Sequence, residues 1–585
     1  MLIVAIGQSM AADPPAFDGR PWNVSTGNAS VTFIQASPIG AHPRPGVYED
    51  PPPADALKRM REAGLVAYED YVAWGAVERE PGKWDWTQHD RMERAMHAAG
   101  LKYVVYDWVH FPPVWLRQRT GAHTLMRCVE HGEETNYLSI FDPRTIEWYD
   151  HFYKALHDHF GDRIDDVYAC ILGPYGEGNY PLRVPDWVDM GHCHEGYWCG
   201  DRYAIEAFGA AMRGKYGNVE KLNLAWGTTL ASLDDVRPPR ELSDPKFKPS
   251  PAAFATPQDR RRWLDFITWY HQAIIDFAER SVKTVLKYWP AGHVRLKPGG
   301  TARGINPIAW GTYSPGYARM ARAYRGIVLQ PADCAGAVFA DKWLATAYRF
   351  YGVKLGTEPA GGLDDKTFVR RVFSDASCGA SQIFTYEFER HAADIRKYAH
   401  LYTGEAGQAQ VAVFCPTTWY RLGGDVTPTI RACDRLRDVC EFDVLDELLI
   451  TDGALTPSRY KALVIFQGEV VDQPVLDRLD RFRTDGGRIV VVGDGAVRNV
   501  EGRDWAGAGA VVRTAAAAGK TAWVDEVARQ VEGLKGVDGR RNGVWTTRRG
   551  RQLLLFNSTD KAVHTSVDGQ PVELPPYGIA EVQGH

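Results

Sequence analysis

Short apolar runs alternate with helical patterns from about residue 31 to residue 402. Eight runs have the length and composition of buried strands: VTFIQAS, LVAYEDYVAW, KYVVYDWV, VYACILG, HVRLKPG, GIVLQPA, VKLGTEP and SQIFTYEFE. Helical segments such as ADALKRMREAG lie between them, and a glycine closes several of these helices. Alternating strands and helices indicate parallel βα units, which over this length close most naturally into a (β/α)8 TIM barrel. An open doubly wound sheet is the alternative.

A different pattern begins near residue 409. QVAVFCP, EFDVLDE, KALVIFQG and RIVVVGDG have the pattern of buried strands separated by two helices, which is typical of a flavodoxin-like α/β sheet. From about residue 542, GVWTTRRGRQLLLFNSTD indicates a β-hairpin, and AVHTSVDG and GIAEVQG indicate further strands. We therefore predict a catalytic barrel over 21–405, a flavodoxin-like domain over 406–535 and a small β-sandwich-like domain over 536–585.

Composition restricts the possible partners. The chain has 585 residues, of which 45% are apolar and 24% charged, as is usual for a soluble globular protein. A net charge of −5 gives no basic field for nucleic acid, and no internal run approaches the ~20 apolar residues needed to span a bilayer. The 19 Trp and 27 Tyr suit sugar-binding surfaces and large cores equally well.

The first twenty residues resemble the end of a secretory signal. Leu2–Ile6 is a short apolar run, and Ser9-Met10-Ala11 resembles a small-residue cleavage site, although a positively charged n-region is missing. We therefore expect a secreted or periplasmic protein, with residues 1–20 as a signal remnant and leader.

Nine cysteines in so long a chain do not form a disulfide scaffold. One segment, GHCHEGYWCG, concentrates His192, Cys193, His194 and Cys199. These residue types suit zinc, but the spacing matches no standard finger pattern. Free thiols, a Cys193–Cys199 disulfide and a metal site remain open, and no metal site is predicted.

Acidic residues stand where several predicted strands end, which is where barrel active sites lie. Glu177 in ILGPYGEGNYP and Glu358 in VKLGTEPAGG each follow an apolar strand directly and have small neighbours that permit close approach. Other acids at strand ends are Glu69, Asp70, Asp107, Asp333, Glu387 and Glu389. Two carboxylates across one pocket can cleave a glycosidic bond, one as a protonated acid and the other ionised. Their proximity raises one pKa, because nearby acids resist ionising together.

The segment LVAYEDYVAWGAVEREPGKWDW resembles the second-strand signature of the family 42 β-galactosidases, which contains a Glu-Pro-x-x-Gly-x-aromatic-Asp-aromatic motif. YDWVHFPPVWL is similar to their third-strand loop. The domain order also matches that family, whose middle domain mediates trimer assembly. This resemblance implies that Glu177 is the acid/base and Glu358 the nucleophile of a retaining β-glycosidase.

The sequence at the end of the predicted fourth strand departs from the pattern of that family. Its clan usually has Asn before the acid/base residue, where this chain has Gly176, and Asn179 could partly substitute in binding the sugar 2-hydroxyl. GPYGEGNYP instead resembles the Gly-Pro-x-Gly-Glu-x-x-Tyr-Pro stretch of the β-amylases, which are inverting barrel enzymes. The domain order and the second-strand motif favour the retaining relatives.

Further residues near the predicted strand ends are candidate sugar contacts. They are Trp74, Asp107, Trp108, His110, Asn179, Tyr180, Lys297, Tyr386 and Glu387. Lys297 could bind an anionic sugar such as a uronate or a sulfated unit, or it could pair with one of the nearby acids.

The middle domain has no evident chemistry of its own. None of the cysteines lies in the Gly-x-Cys-x-Gly turn of a glutamine amidotransferase, and VGDGAV is a weak nucleotide signal. A structural, oligomer-forming role is therefore favoured.

Together these patterns predict a hydrolase of carbohydrate metabolism. We expect an exo-acting, retaining β-galactosidase-like glycosidase that acts on oligo- or polysaccharide, needs no cofactor and forms a homo-oligomer (a dimer or trimer). An inverting glycosidase of β-amylase type and a non-catalytic carbohydrate-binding barrel are the alternatives.

Overall fold

Eight parallel strands form a closed barrel in which each strand pairs with its neighbours in chain order. The computed structural model describes residues 32–36, 51–182, 191–299, 305–331, 337–359, 363–386, 388–493, 495–514 and 543–583, so the expected signal remnant lies outside the described residues. The barrel strands are β1 Thr32–Ala36, β2 Leu65–Ala73, β3 Lys102–Trp108, β4 Asp166–Tyr168, β5 Val294–Leu296, β6 Val328–Leu329, β7 Lys354–Thr357 and β8 Gln382–Thr385. β1 pairs with both β2 and β8, which closes the sheet and excludes the open alternative.

Helices surround the barrel and continue into the rest of the chain. In the described part of the chain, those of eight or more residues are α1 Ala54–Ala63, α2 Thr87–Ala98, α3 Pro143–Phe160, α4 Arg202–Tyr216, α5 Val219–Trp226, α6 Pro257–Val285, α7 Ser314–Ala321, α8 Val338–Tyr351, α9 Asp365–Cys378, α10 Phe388–Tyr398, α11 Thr427–Arg437 and α12 Gln473–Thr484. Local sequence sets their ends. Gly64 closes α1 in the left-handed conformation, and Thr256 with Asp259 forms a capping box at the start of α6. Within the described residues, no helix combines the length and apolarity required to cross a bilayer.

A series of hydrogen-bonded polar side chains runs through the barrel interior from Asp166 to Glu358. The buried Arg295 guanidinium lies 3.2 Å from an Asp166 carboxylate oxygen and donates to Gln382 Oε1 at 2.6 Å. Gln382 Nε2 then donates to Gln330 Oε1 at 2.6 Å, and Gln330 Nε2 donates to Glu358 Oε2 at 3.2 Å. Buried polar groups of this kind fix one side-chain arrangement because each needs its partner.

Two smaller β-structures follow the barrel. Five parallel strands form one sheet in the order β10-β9-β11-β12-β13, with β9 Val411–Cys415, β10 Phe442–Asp446, β11 Ala462–Ile465, β12 Arg488–Val492 and β13 Val512–Thr514. The last segment contains β14 Val544–Arg549, β15 Gln552–Asn557, β16 Val563–Val567, β17 Gln570–Leu574 and β18 Ile579–Gln583, paired antiparallel as β14-β15-β18 and β16-β17. The strand β17 was not predicted from the sequence.

Candidate active site

The loop after β4 presents Glu177 through tight backbone turns. The amides of Ile171 and Leu172 donate to the carbonyls of Gly176 and Glu177, so the chain folds back on itself. Gly176 has φ +75°, which favours glycine. The amide of Gly178 donates to the Lys297 carbonyl at 2.9 Å. A Cβ at Gly178 would lie 2.5 Å from the Pro298 carbonyl oxygen and from the Tyr317 hydroxyl. The two glycines therefore let the loop pack against the segment after β5.

The Glu177 side chain is half-buried and has the environment of a general acid. Burial, followed by the charge of Glu358, raises the pKa of Glu177 to about 7. Asn179 Nδ2 lies 3.3 Å from Glu177 Oε2 and opposes this shift only in part. A carboxyl with such a pKa holds its proton up to near-neutral pH and can transfer it to a leaving group.

Glu358 ends β7 and is held by three donors from different strands. Lys297 Nζ lies 2.8 Å from Glu358 Oε2, and Gln330 Nε2 donates to the same oxygen. The Tyr386 hydroxyl donates to Glu358 Oε1 at 2.9 Å. Glu358 is thus held by a cation and two hydrogen bonds, whereas Glu177 has a raised pKa.

Lys297 is buried and pairs with two acids inside the barrel. Its Nζ lies 3.1 Å from Glu69 Oε1 in addition to Glu358, and 3.7 Å from the centre of the Tyr106 ring. Burial opposes its charge, but the two carboxylates outweigh burial and raise the pKa of Lys297. These two ion pairs support the salt bridge with nearby acids, which the sequence left open beside the binding of an anionic sugar.

Trp74 and Tyr180 are enclosed by protein. Trp74 is 0% exposed and donates its indole N–H to Glu78 Oε2 at 2.7 Å. Tyr180, also 0% exposed, stacks on Tyr270 at 3.9 Å between ring centres and donates to the Tyr270 carbonyl. In this structure neither side chain is placed to contact a sugar. Sequence position alone suggested them because a strand end does not reveal which way a side chain points.

Asp107 and His110 are enclosed in the same way and support the loop from below. Burial raises the pKa of Asp107 to about 8, and the Tyr153 hydroxyl donates to its carboxyl group. Burial lowers the pKa of His110 to about 3, and His110 Nδ1 lies 3.1 Å from Cys170 Sγ. Burial thus favours the neutral form of both groups. Their described contacts are with other protein groups, and the prediction that they bind substrate stays a prediction.

The remaining candidates divide by position. Asn179 contacts Glu177 and Tyr386 contacts Glu358, as described above. Trp108 is 2% exposed and packs edge-on against Tyr71, with 5.0 Å between ring centres. Glu387 lies outside the described residues. Glu389 lies on α10 within the electrostatic reach of Arg59, and is not among the partners of Glu358.

Sequence reasoning missed two members of the site. The sequence marks Glu69 only as one of several acids near strand ends, and its pairing with Lys297 is a feature of the tertiary structure. Gln330 follows β6 directly and bridges Gln382 to Glu358. A polar residue after the apolar run GIVL was the available signal, but glutamine carries no charge and so was not singled out.

A barrel that carries at its strand ends one glutamate with a raised pKa and a second glutamate bound to a lysine has the arrangement of a glycoside hydrolase. Comparison with known proteins points to the same class. The sequence profile of glycosyl hydrolase family 14 matches residues 44–287. The β-amylase of Cytobacillus firmus is 30% identical over 259 residues, which cover 41% of this chain and 53% of that protein. The match thus spans about half the length of that curated relative.

Solved structures extend the similarity to more of the chain. The catalytic domain of the β-amylase from Paenibacillus polymyxa has a TM-score of 0.50 at 20% identity and covers 62% of this chain and 93% of its own. The β-galactosidase from Bacillus circulans sp. alkalophilus has a TM-score of 0.67 at 11% identity and covers 96% of this chain and 100% of its own. At these identities the likeness establishes a shared fold. The resemblance to family 42 β-galactosidases, with a β-amylase-like fourth-strand motif, is confirmed.

Proposed function

We propose that the protein is a glycoside hydrolase that removes a terminal β-linked sugar from an oligo- or polysaccharide. The observation that carries this proposal is the contrast between two carboxyl groups in mutual electrostatic contact. Glu177 has a pKa raised to about 7, whereas Glu358 is bound by the Lys297 ammonium. Cleavage of an acetal needs this combination of one proton donor and one carboxylate.

In the retaining form of the reaction, Glu177 gives its proton to the leaving oxygen while a Glu358 oxygen attacks the anomeric carbon. The glycosidic bond breaks and an ester bond to Glu358 forms. Glu177, now a carboxylate, then takes a proton from water as the water oxygen attacks the same carbon. The ester bond breaks, the sugar leaves, and both carboxyl groups regain their initial protonation states.

An inverting hydrolase of β-amylase type is the second candidate. The family 14 match supports it because residues 44–287 include the loop that carries Glu177. In that mechanism Glu358 would act as a general base on water in a single displacement, and Glu177 would remain the acid. The same two side chains therefore serve both candidates, and only the fate of the anomeric carbon differs.

The stereochemistry of the first product separates the two. The purified protein is incubated with a panel of nitrophenyl β-glycosides and with malto-oligosaccharides, and the first-formed anomer is followed by ¹H NMR. A β-anomer from a β-glycoside supports retention, whereas a β-anomer from an α-linked glucan supports inversion. Glycan binding without hydrolysis by either route would identify a carbohydrate-binding barrel and overturn the enzymatic proposal.

We also propose a flavodoxin-like middle unit with a structural role. Its five parallel strands follow the order second, first, third, fourth, fifth, which supports this assignment. Oligomer formation through this unit and secretion of the protein remain predictions. Size-exclusion chromatography with light scattering tests the first, and fractionation of the expressing cells tests the second.

A further inference from the structure

A group of one cysteine and three histidines lies on the loops beside the barrel, away from the contacts made by the two glutamates. Its members are Cys128, His131, His192 and His194, and one potential ligand atom from each lies within 4.8 Å of all the others. The first two follow a short hairpin strand, Leu125–Arg127, and the last two lie in the segment that leads to α4. Sequence analysis did not combine them because about sixty residues separate the two pairs.

The three distances among Cys128, His131 and His192 are close to the edges of a metal tetrahedron. Zinc bonds of ~2.0–2.1 Å to nitrogen and ~2.3 Å to sulfur give edges of about 3.3 Å between two nitrogens and about 3.6 Å between nitrogen and sulfur. His131 Nδ1 and His192 Nε2 are 3.1 Å apart. Cys128 Sγ lies 3.5 Å from His192 Nε2 and 3.7 Å from His131 Nδ1.

His194 shows the surroundings of a metal ligand. Its Nδ1 lies 2.9 Å from the Glu195 carbonyl oxygen, to which it can donate. Its Nε2 is buried and has no hydrogen-bond partner of good geometry among the described residues. A ligating histidine usually donates its other ring N–H to a carbonyl or carboxylate in this way, which fixes the tautomer that leaves the ligand nitrogen bare.

Cys128 and Cys193 differ in their positions relative to the histidines. Cys128 Sγ lies 3.5 Å from His192 Nε2 and 3.7 Å from His131 Nδ1, whereas Cys193 is not a member of the group of potential ligands within the described residues. Cys193 and Cys199 are both free thiols, which excludes the disulfide left open by the sequence.

We propose that Cys128, His131, His192 and His194 bind one structural zinc ion in a closed tetrahedral site. One thiolate and three imidazoles suit zinc, and four protein ligands leave no position for substrate. The ion ties the hairpin after β3 to the loop after Glu177. The same two segments already share backbone hydrogen bonds, from the Val129 amide to the Tyr197 carbonyl and from the Gly200 amide to the Arg127 carbonyl, both at 2.9 Å.

Cobalt substitution tests the site without reference to glycosidase activity. The full chain is stripped with a chelator and titrated with Co²⁺. We expect one ion per chain, with the visible absorption of tetrahedral Co²⁺ and a near-ultraviolet thiolate-to-cobalt band. Zn²⁺ should displace the Co²⁺ and abolish both signals. Metal analysis of the protein as purified should give about one zinc per chain, the occupancy expected of a closed structural site.

Matched cysteine variants assign the ligand. Cys128→Ser should lose the charge-transfer band and bind the ion at least about 10-fold more weakly, whereas Cys193→Ser should keep both. Survival of the band in Cys128→Ser, or its loss in Cys193→Ser alone, would overturn the assignment. If Cys128→Ser fails to fold, the wild-type titration decides, because a wild-type chain that binds no Co²⁺ with a thiolate band contradicts the proposal.

Discussion

Lys297 Nζ lies 2.8 Å from Glu358 Oε2 and 3.1 Å from Glu69 Oε1, so one buried cation serves two acids. Glu177 also lies within electrostatic reach of Lys297 and Glu358. Three carboxyl groups thus share one ammonium group, and they cannot all be ionised at low cost. Glu69 and Glu358 contact the cation directly, while the pKa of Glu177, which is not paired with Lys297, is raised to about 7.

The first prediction concerns the alkaline limb of the pH–rate profile. We expect kcat/KM to fall above about pH 7, because Glu177 then loses the proton needed by the leaving group. Glu177→Gln should lower activity on natural glycosides by about 10²–10⁴-fold. It should spare aryl glycosides with good leaving groups, since these need no proton, and their alkaline limb should disappear.

Glu206→Gln provides the control for that experiment, because Glu206 is exposed on α4. This variant should leave both limbs of the profile in place. Equal losses on natural and aryl substrates in Glu177→Gln would contradict the assignment of Glu177 as the acid.

The second prediction concerns stability. The folded state raises the pKa of Glu177 from 4.5 to about 7, so between these values it binds more protons than the unfolded chain. The free energy of unfolding should therefore fall as pH rises through this window, by roughly 2–3 kcal/mol from this group. Glu177→Gln should remove that fall. Urea unfolding of both proteins at pH 5 and pH 8 measures the difference, and parallel pH dependences would count against a raised pKa.

A third prediction distinguishes a nucleophile from a base at Glu358. Glu358→Gly should lower kcat by roughly 10⁴-fold or more, in line with other nucleophile deletions. If Glu358 forms the covalent bond, azide should restore turnover of an aryl β-glycoside and yield the α-glycosyl azide. Mass spectrometry and NMR identify the product. Absence of an azide adduct, with inversion in the wild type, would transfer the role to general base.

The fourth prediction tests the buried cation. Lys297→Met leaves Glu69 and Glu358 without their common partner, which should cost about 3–5 kcal/mol of stability. The alkaline limb of kcat/KM should move to higher pH, because the charge of Lys297 lowers the pKa of Glu177 and its loss removes that effect. Adding Glu69→Gln should recover part of the stability by removing one unpaired charge. An unchanged alkaline limb would show that Lys297 does not act on Glu177.

The fifth prediction compares two glycines. Gly178→Ala places a Cβ 2.5 Å from the Pro298 carbonyl oxygen, so the loop must shift and carry Glu177 with it. We expect a loss of about 1–3 kcal/mol from overpacking, together with lower kcat. Gly214→Ala has open space on helix α4 and should instead stabilise by about 0.5–1 kcal/mol. Differential scanning calorimetry and steady-state kinetics measure both effects.

The sequence predicted the barrel strands and several of the helices around them because these features are local. A buried parallel strand is a short apolar run, and a helix end is a capping residue or a glycine. Gly64, for example, lies where such a signal places it, at the end of α1. Strand β17, Gln570–Leu574, was not predicted because most of its side chains are not buried and its sequence is not an apolar run.

Glu177 and Glu358 were predicted from the sequence because each follows an apolar strand directly and has small neighbours. The sequence could also bring the two acids to the same end of the barrel, since all parallel strands end there. Which residues contact them depended on side-chain direction. The Trp74 and Tyr180 side chains are packed against other protein groups, whereas the Tyr386 hydroxyl donates to Glu358.

By itself, then, the sequence determined the strand order, the helix ends and the acids that emerge from buried strands, because these depend on residues close together in the chain. Only the tertiary structure decided how charge is distributed among those acids. Lys297 reaches Glu69 and Glu358 from a different strand, and Cys128 meets His192 across 64 positions of sequence. Electrostatic and ligand interactions act over a few ångströms of space, and folding alone brings such distant positions within that range.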